Sequence, residues 1–395
     1  MRRGITEKAD RILINGPKPM SRRDFMYQCA RCAAGAGLMV IPLTSVSSGA
    51  VELKKGAVGR KLSPYYTPMA NLSVRCELCP HHCEVRDGDR GRCDVRENVG
   101  GRFYSLVYGN PCAIQIDPIE KIPLYHVLPG VKTYSLATAG CNLDCKFCQD
   151  WENARARPEE TYNYLLSPQA AVNQALTFEC SAVASTFVEP VVFFEYMTDI
   201  GRKTKNRPLL NTLHSNGYVN EKPLANIAPY LDAACIDLKA FNDDIYRELT
   251  GGRLQPVLDT LLRLREHRIH TEIVNLVIPG KNDDLEQIRA MSRWIRASLG
   301  SAVPLHFIRF YPRYKLKSIP PTPMATLEAA RTVALQEGLL HVYINNVPEH
   351  PAAHTYCPEC KHTLIQRVGY KTAVTGLQAG QCRRCGQRIY GIWRI

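Results

Sequence analysis

The sequence predicts an α/β fold: a parallel sheet covered by helices and curled into a partial (β/α)6-type TIM barrel. A cysteine-rich module precedes it and a short cysteine-bearing tail follows. Three observations carry this. From about residue 133, strand-like and helix-like segments alternate six or seven times, as in a parallel sheet with crossover helices. That many units in one run suit a full or partial barrel better than a flat sheet. The chain has 395 residues, enough for one such domain with small appendages. Its 16 cysteines fall mostly into sets of three or four at close spacing. Disulfide frameworks belong to small, loop-rich secreted chains, whereas thiolates two or three residues apart converge on a soft metal or a cluster.

The first segment, residues 1–50, has the form of a twin-arginine export leader. Ser21-Arg22-Arg23-Asp24-Phe25-Met26 is followed by a weakly apolar run and by Ser47-Ser48-Gly49-Ala50. Cys29 and Cys32 fall within it and are assigned no chemistry. Residues 51–72 read as a polar, Pro-containing linker, and residues 73–116 as a Cys-rich metal-binding module with turns at Gly88, Gly91, Gly100 and Gly101. The core domain is expected over 117–347 and the tail module over 348–395.

Within the core, strands are expected at Tyr134–Thr138, Ala182–Phe187, Leu209–His214, Ala234–Leu238, Glu272–Ile278, Leu305–Phe310 and Val342–Ile344. Ser167-Pro168 supplies a cap and a first-turn proline for a helix to about Glu179. Further helices are expected at Pro190–Gly201, Lys222–Tyr230, Val257–His267, Leu285–Leu299 and Ala325–Glu337. In the fourth of these six, Val257, Leu258, Leu261, Leu262 and Leu264 recur at helical spacing.

After the first core strand comes Gly140-Cys141-Asn142-Leu143-Asp144-Cys145-Lys146-Phe147-Cys148, with spacing C-x3-C-x2-C. Three thiolates hold three irons of a 4Fe–4S cubane and leave the fourth iron with an open position, where an electron-transfer cluster would use a fourth cysteine. An open iron can chelate the amine and carboxylate of S-adenosylmethionine (SAM), and an electron from the cluster then splits the sulfonium C–S bond. The loop lies at the C-terminal end of a strand, where such barrels place their sites, and Phe147 would shield the cluster from water.

This motif, with an aromatic before its last cysteine, resembles the radical SAM signature. Cys76-Glu77-Leu78-Cys79-Pro80-His81-His82-Cys83, Asp117-Pro118-Ile119-Glu120-Lys121, Pro123-Leu124-Tyr125-His126, Asp237-Leu238-Lys239, Ile278-Pro279-Gly280-Lys281-Asn282-Asp283 and Tyr356-Cys357-Pro358-Glu359-Cys360 resemble the radical SAM member of the AmmeMemoRadiSam system. That group is related to activases that install glycyl radicals, such as pyruvate formate-lyase activating enzyme. The resemblance covers roughly residues 73–395. It implies a 4Fe–4S cluster, SAM, a reductant such as ferredoxin or flavodoxin, and hydrogen abstraction from a substrate it does not identify.

The same resemblance implies roles for residues around the cysteine loop. Glu189 matches an acidic segment that receives the SAM amine, although Val188 stands where relatives usually carry Asn; a helix cap is the competing role. Asn216, before Gly217, turns the chain past the ligand or forms a plain turn. Asp237 and Lys239 flank Leu238 and so share one side of a strand; SAM carboxylate and ribose contacts compete with a structural salt bridge. His306 and Arg309 resemble late-strand residues facing adenosine or substrate. Their parity differs, and His306 is the preferred one.

Cys357, Cys360, Cys382 and Cys385 form the paired C-x2-C knuckles of a zinc ribbon. A short tail needs such a staple, with rubredoxin-like iron or an auxiliary cluster as the competitor. Cys76, Cys79, Cys83 and Cys93, spaced C-x2-C-x3-C-x9-C, fit zinc or an auxiliary cluster, with His81 or His82 able to replace a thiolate; Pro80 and the glycine-rich returns favour zinc. Cys112, Cys180 and Cys235 read as packing residues. The net charge of +13 favours an acidic partner, so a protein or RNA substrate is open. A non-catalytic metal-binding module contacting nucleic acid or protein is the alternative reading. The chemistry points to the cytoplasm and the leader to export.

Overall fold

The computed structural model describes residues 51–395; the expected leader, with Cys29 and Cys32, lies outside the described residues. Eight strands form the central sheet: β1 (Ala113–Pro118), β2 (Lys132–Ala137), β3 (Ala182–Ser185), β4 (Leu210–Ser215), β5 (Ala233–Asp237), β6 (His270–Val277), β7 (Leu305–Arg309) and β8 (Val342–Asn345). They lie side by side in chain order. From β2 to β8 every pairing is parallel; β1 runs antiparallel to β2. The parallel strands are almost wholly buried, β3 at all four residues, as expected for strands covered on both faces.

The crossovers carry α1 (Pro168–Thr177), α2 (Phe194–Thr204), α3 (Glu221–Ile227), α4 (Asp243–Thr250), α5 (Leu254–Glu266), α6 (Leu285–Ser298) and α7 (Met324–Gln336). At α1 the Ser167 side chain accepts from Ala170 N and Pro168 fills the first turn, satisfying an end that would otherwise waste its N–H groups. A monotonic strand order with right-handed crossovers puts the helices on one face of the sheet. Strand alternation follows. Leu136, Val183, Leu213, Ile236, Ile273, Leu305 and Ile344 belong to the large core that also holds the helix residues. Ala182, Ala184, Leu210, Ala233, Cys235 and Val274 face the other way. Ile119, Ile122, Leu124, Val127 and Leu128 cover that second face as a plug.

Three sequence expectations need correction. Residues 51–72 are not a linker: Leu53–Lys55 pairs with Tyr162–Tyr164, Lys61–Leu62 with Arg102–Ser105, and Tyr66–Pro68 with Val74–Cys76. These short strands expose most of their side chains, so backbone hydrogen bonds hold them and no hydrophobic alternation marks them. A boundary at 116/117 cuts through β1, a partly exposed edge strand. The helix expected over Pro190–Gly201 is a 3-10 turn, Pro190–Phe193, followed by α2. The sequence reading also missed α4. It is short, opened by the Asn242 side chain accepting from Ile245 N and closed by Gly251.

At the N-terminal ends of the strands the plug and the tail module build a closed polar floor. Glu272 of β6 is fully buried. It accepts from Tyr125 N (3.0 Å) and His126 N (2.8 Å) of the plug, and its oxygens also lie 2.8 Å from His306 Nε2 and 3.1 Å from His270 Nε2. A relay of hydrogen bonds runs in from the tail: Arg367 to Thr355, Thr355 with Tyr343, Tyr343 to His126 Nε2, and His126 Nδ1 to the Tyr390 carbonyl. Arg367 also lies over the Tyr125 ring, 4.0 Å from its centroid. The tail has its own small core of Cys357, Leu364, Ile365, Leu377, Cys382 and Ile389.

Candidate functional site

The cysteine loop leaves β2 at the opposite, C-terminal edge of the sheet. Gly140 sets its direction with φ +88°. A Cβ there would lie 2.5 Å from Val95 Cγ1 and 2.7 Å from the Cys93 carbonyl, so only glycine fits. The loop is then pinned from several elements. Asp144 N and Lys146 N donate to the Thr250 and Leu249 carbonyls at the end of α4. Arg155 donates to the Cys141 and Leu143 carbonyls. His81 Nε2 stands 2.7 Å from the Asn142 carbonyl, and Asn142 Nδ2 donates to the Tyr218 carbonyl at 2.8 Å. Phe147 is buried with Leu249, Ile278 and Phe310, an apolar wall beneath the loop.

Cys141, Cys145 and Cys148 are partly buried and free of disulfides. Burial pushes all three thiols up, Cys145 to about 11. Such thiols bind as thiolates only with a cation to compensate. Lys239 is that neighbour for Cys145; its charge works against the burial effect there. Its Nζ lies 5.5 Å from the Phe147 ring centroid.

Around the loop stand the other predicted residues. Asp237, at the end of β5, has Oδ1 2.8 Å from His214 Nε2 and Oδ2 2.8 Å from Lys239 Nζ. Burial acts to raise this carboxyl, but Lys239 and His214 outweigh it and hold it well below the usual range. Lys239 is desolvated too, yet the Asp237 carboxylate raises it well above the ordinary lysine value. The pair is therefore a fixed charge couple at the mouth of the sheet. Asn216 packs against the loop: its Nδ2 donates to Asn142 Oδ1 at 2.8 Å and lies 3.9 Å from Cys141 Sγ. Glu189 is buried beside them and accepts from Val191 N (3.0 Å), Ser215 Oγ (2.7 Å) and Asn216 N (2.9 Å). It is thus the cap of the Pro190–Phe193 turn. Burial raises its carboxyl despite these three donors.

His306 is corrected. It is fully buried in the floor, bonded to Glu272, 3.3 Å from Asn345 Nδ2 and stacked on Tyr343, so both ring nitrogens are engaged. Strand parity named the right face and the wrong end. Arg309, at the end of β7, donates from Nε to the Thr322 carbonyl and lies over Tyr311, steadying the following loop. Two residues were missed, His214 and Asn142. The alternation that puts Leu210 on the plug-facing side of β4 puts His214 there as well, and that signal was readable. Asn142 sits inside the motif with no pattern to mark its contacts.

The two four-cysteine sets differ. Cys357, Cys360, Cys382 and Cys385 all lie within 4.8 Å of one another, the sole such group among the described residues. Their closest sulfurs are 3.5 and 3.7 Å apart, near the ~3.8 Å that a tetrahedral zinc with ~2.3 Å bonds requires. Cys76, Cys79, Cys83 and Cys93 instead line one small enclosed pocket. A separate cavity of about 570 Å³ lies outside the sheet, between Tyr65, Glu77, Asn220 and Arg263, and does not touch the Cys141 loop.

The chain is similar to several known proteins. A profile described as the radical SAM superfamily matches residues 135–291. An uncharacterised protein of Methanocaldococcus jannaschii is 38% identical over 327 residues, covering 82% of this chain and 97% of that one. The pyruvate formate-lyase 1-activating enzyme of Escherichia coli K12 is 21% identical over 225 residues, covering 53% of this chain and 91% of that one. Among solved structures, a radical SAM methyltransferase from Sphaerobacter thermophilus is similar at 16% identity and a TM-score of 0.44, over 55% of this chain and 68% of that one. The matched span runs from β2 through the cysteine loop into α6, and the archaeal relative is alike over nearly its whole length: the chain belongs to the radical SAM superfamily.

Proposed function

We propose that the chain is a radical SAM enzyme whose Cys141, Cys145 and Cys148 hold a 4Fe–4S cluster at the C-terminal edge of the sheet, with SAM as co-substrate. The observation that carries this is a loop of three thiols and no fourth, pinned beside a half-buried charge couple. When bound, such a cluster with SAM supplies reductive cleavage of the sulfonium C–S bond to methionine and a 5′-deoxyadenosyl radical, which takes hydrogen from a substrate. The chain's own residues hold and orient. Asn216 fixes Asn142 and the Cys141 sulfur. Phe147 keeps water from the loop's inner side. Asp237 stays ionised at neutral pH, ready to accept from an ammonium or hydroxyl, and Lys239 offers its charge to Cys145 and to a carboxylate. Glu189, its oxygens committed to capping, positions Asn216 through its backbone.

In this reading the sheet is a partial (β/α) barrel with its mouth at the cysteine loop, and the Cys357 set holds structural zinc. A ferredoxin- or flavodoxin-type protein supplies the electron. Among the described residues no helix is long and apolar enough to cross a membrane. The substrate class is a macromolecule, with a protein glycine as the first choice by likeness to the activases; the basic net charge suits an acidic partner.

Anaerobically reconstituted protein, reduced in the presence of SAM, is expected to form 5′-deoxyadenosine, and Cys141→Ala to reduce it to background at unchanged thermal stability. A cluster-loaded wild type that forms none would overturn the assignment and leave a metal-binding module.

A further inference from the structure

We infer that Cys76, Cys79, Cys83 and Cys93 hold a second 4Fe–4S cluster, closed by four thiolates, that passes electrons to the Cys141 site. The sequence alone favoured zinc. The geometry points the other way, through three independent observations.

The first is spacing. The four thiols line one enclosed pocket, yet no three of them draw together to within 4.8 Å, as the Cys357 set does. A single tetrahedral zinc needs its sulfurs about 3.8 Å apart. A cubane puts each cysteine on a separate iron and fills the space between them. Leu78, Phe103, Val191 and Val192 form the apolar part of the wall, and His81, Arg92, Arg96 and Asn142 the polar part.

The second is a donor with nothing to donate to. Arg96 lines the same cavity and is 1% exposed. Its two Nη atoms are taken by Glu195 at 2.8 and 2.6 Å, by Ser63 Oγ and by the Val192 carbonyl. Its Nε–H is buried with no acceptor among the described residues. A buried unpaired donor is costly enough that native structures rarely leave one. A sulfide or thiolate sulfur in the cavity is the acceptor it lacks.

The third is position. His81, between Cys79 and Cys83, touches the Asn142 carbonyl, and the Cys93 carbonyl presses on Gly140. The two cysteine sets therefore share a wall, with backbone of one against backbone of the other. Four thiolates leave no iron open for a substrate, so this cluster can only take up and release an electron. A low-potential one-electron carrier protein reduces it, and it reduces the Cys141 cluster by the same single electron. The relay role rests on the function proposed above; the iron assignment does not.

The test is the triple variant Cys141→Ala/Cys145→Ala/Cys148→Ala in the full chain, purified anaerobically after iron and sulfide loading. Retention of about four irons and four sulfides per chain, with an electron paramagnetic resonance signal unmoved by SAM, is expected. In the wild type about eight irons are expected. A triple variant that carries zinc and no iron overturns the inference, and if its wild type still cleaves SAM the function proposed above stands. A triple variant with four irons beside a wild type inert towards SAM keeps the cluster and removes that function. Arg96→Lys keeps a cation for Glu195 and deletes the Nε–H. It should leave the iron content intact and lower the midpoint potential of the SAM-insensitive signal, since N–H···S bonds raise it. An unchanged potential removes Arg96 from the site.

Discussion

The two ends of the central sheet carry the same kinds of side chain and use them oppositely. At the floor, Glu272, His270, His306, His126, Tyr343 and Arg367 bond to one another and to the plug and tail. At the mouth, Asp237, Lys239, His214 and the three thiols are assembled but only partly spent: Asp237 bonds Lys239 and His214, Cys141 Sγ lies 3.4 Å from Leu143 N and 3.9 Å from Asn216 Nδ2, and all three thiols stay partly exposed. A histidine on an inward-facing strand position is therefore no sign of a site by itself. What distinguishes the ends is whether the polar groups answer each other.

The largest test of that contrast is Glu272→Ala. It leaves two imidazoles and two plug N–H groups around a void, and a cost of about 3–5 kcal/mol is expected in urea denaturation. Iron loading at Cys141 in the fraction that remains folded should be unchanged. A loss of iron binding without loss of stability would erase the distinction between floor and mouth.

A somewhat smaller effect comes from pH. Burial pushes His341 down to about 4 and His126 well below its usual range, where the two rings meet edge to face at 4.5 Å. A histidine with a depressed folded value stabilises fully above its unfolded value, about 6.5. That contribution is lost as pH falls from about 6.5 towards 4, by up to about 3 kcal/mol for His341. Glu272, also depressed, acts only lower, below about 4.3. Melting temperature should fall between pH 6.5 and 4.5, and His341→Phe should flatten that slope; parallel curves would show that His341 does not titrate on unfolding.

The smallest effect sharpens the comparison from the mouth. Asp237→Asn keeps the shape, removes the charge facing Lys239, and is expected to weaken SAM binding to the loaded protein about tenfold. Melting temperature should move far less than in the Glu272 variant. Unaltered SAM affinity would make the Asp237–Lys239 couple a structural pair only.

Much of this was readable beforehand. Cys141-x3-Cys145-x2-Cys148, the seven parallel strands and the Cys357 knuckles announce themselves because each is local: spacing, period and turn residues lie within a few positions. Apart from the short helix α4 and the Pro190–Phe193 turn, the failures are long-range. His306 was put at the mouth by its resemblance to late-strand residues, and period-two alternation could not correct this because it reports a face and not a height along the strand. Glu120, Tyr125 and His126 looked like family motif residues, and only the fold shows that Arg367 and Tyr390 complete them. Residues 51–72 pair through their backbones, which leaves no mark in side-chain order.

Gly140 carries one last consequence. Because it is wedged against the Cys93 carbonyl and Val95, an alanine there would act as a crowbar, its one methyl prising the Cys141 loop away from the Cys93 turn. Damage confined to residue 140 would surface in both cysteine sets, which makes this glycine the keystone between them.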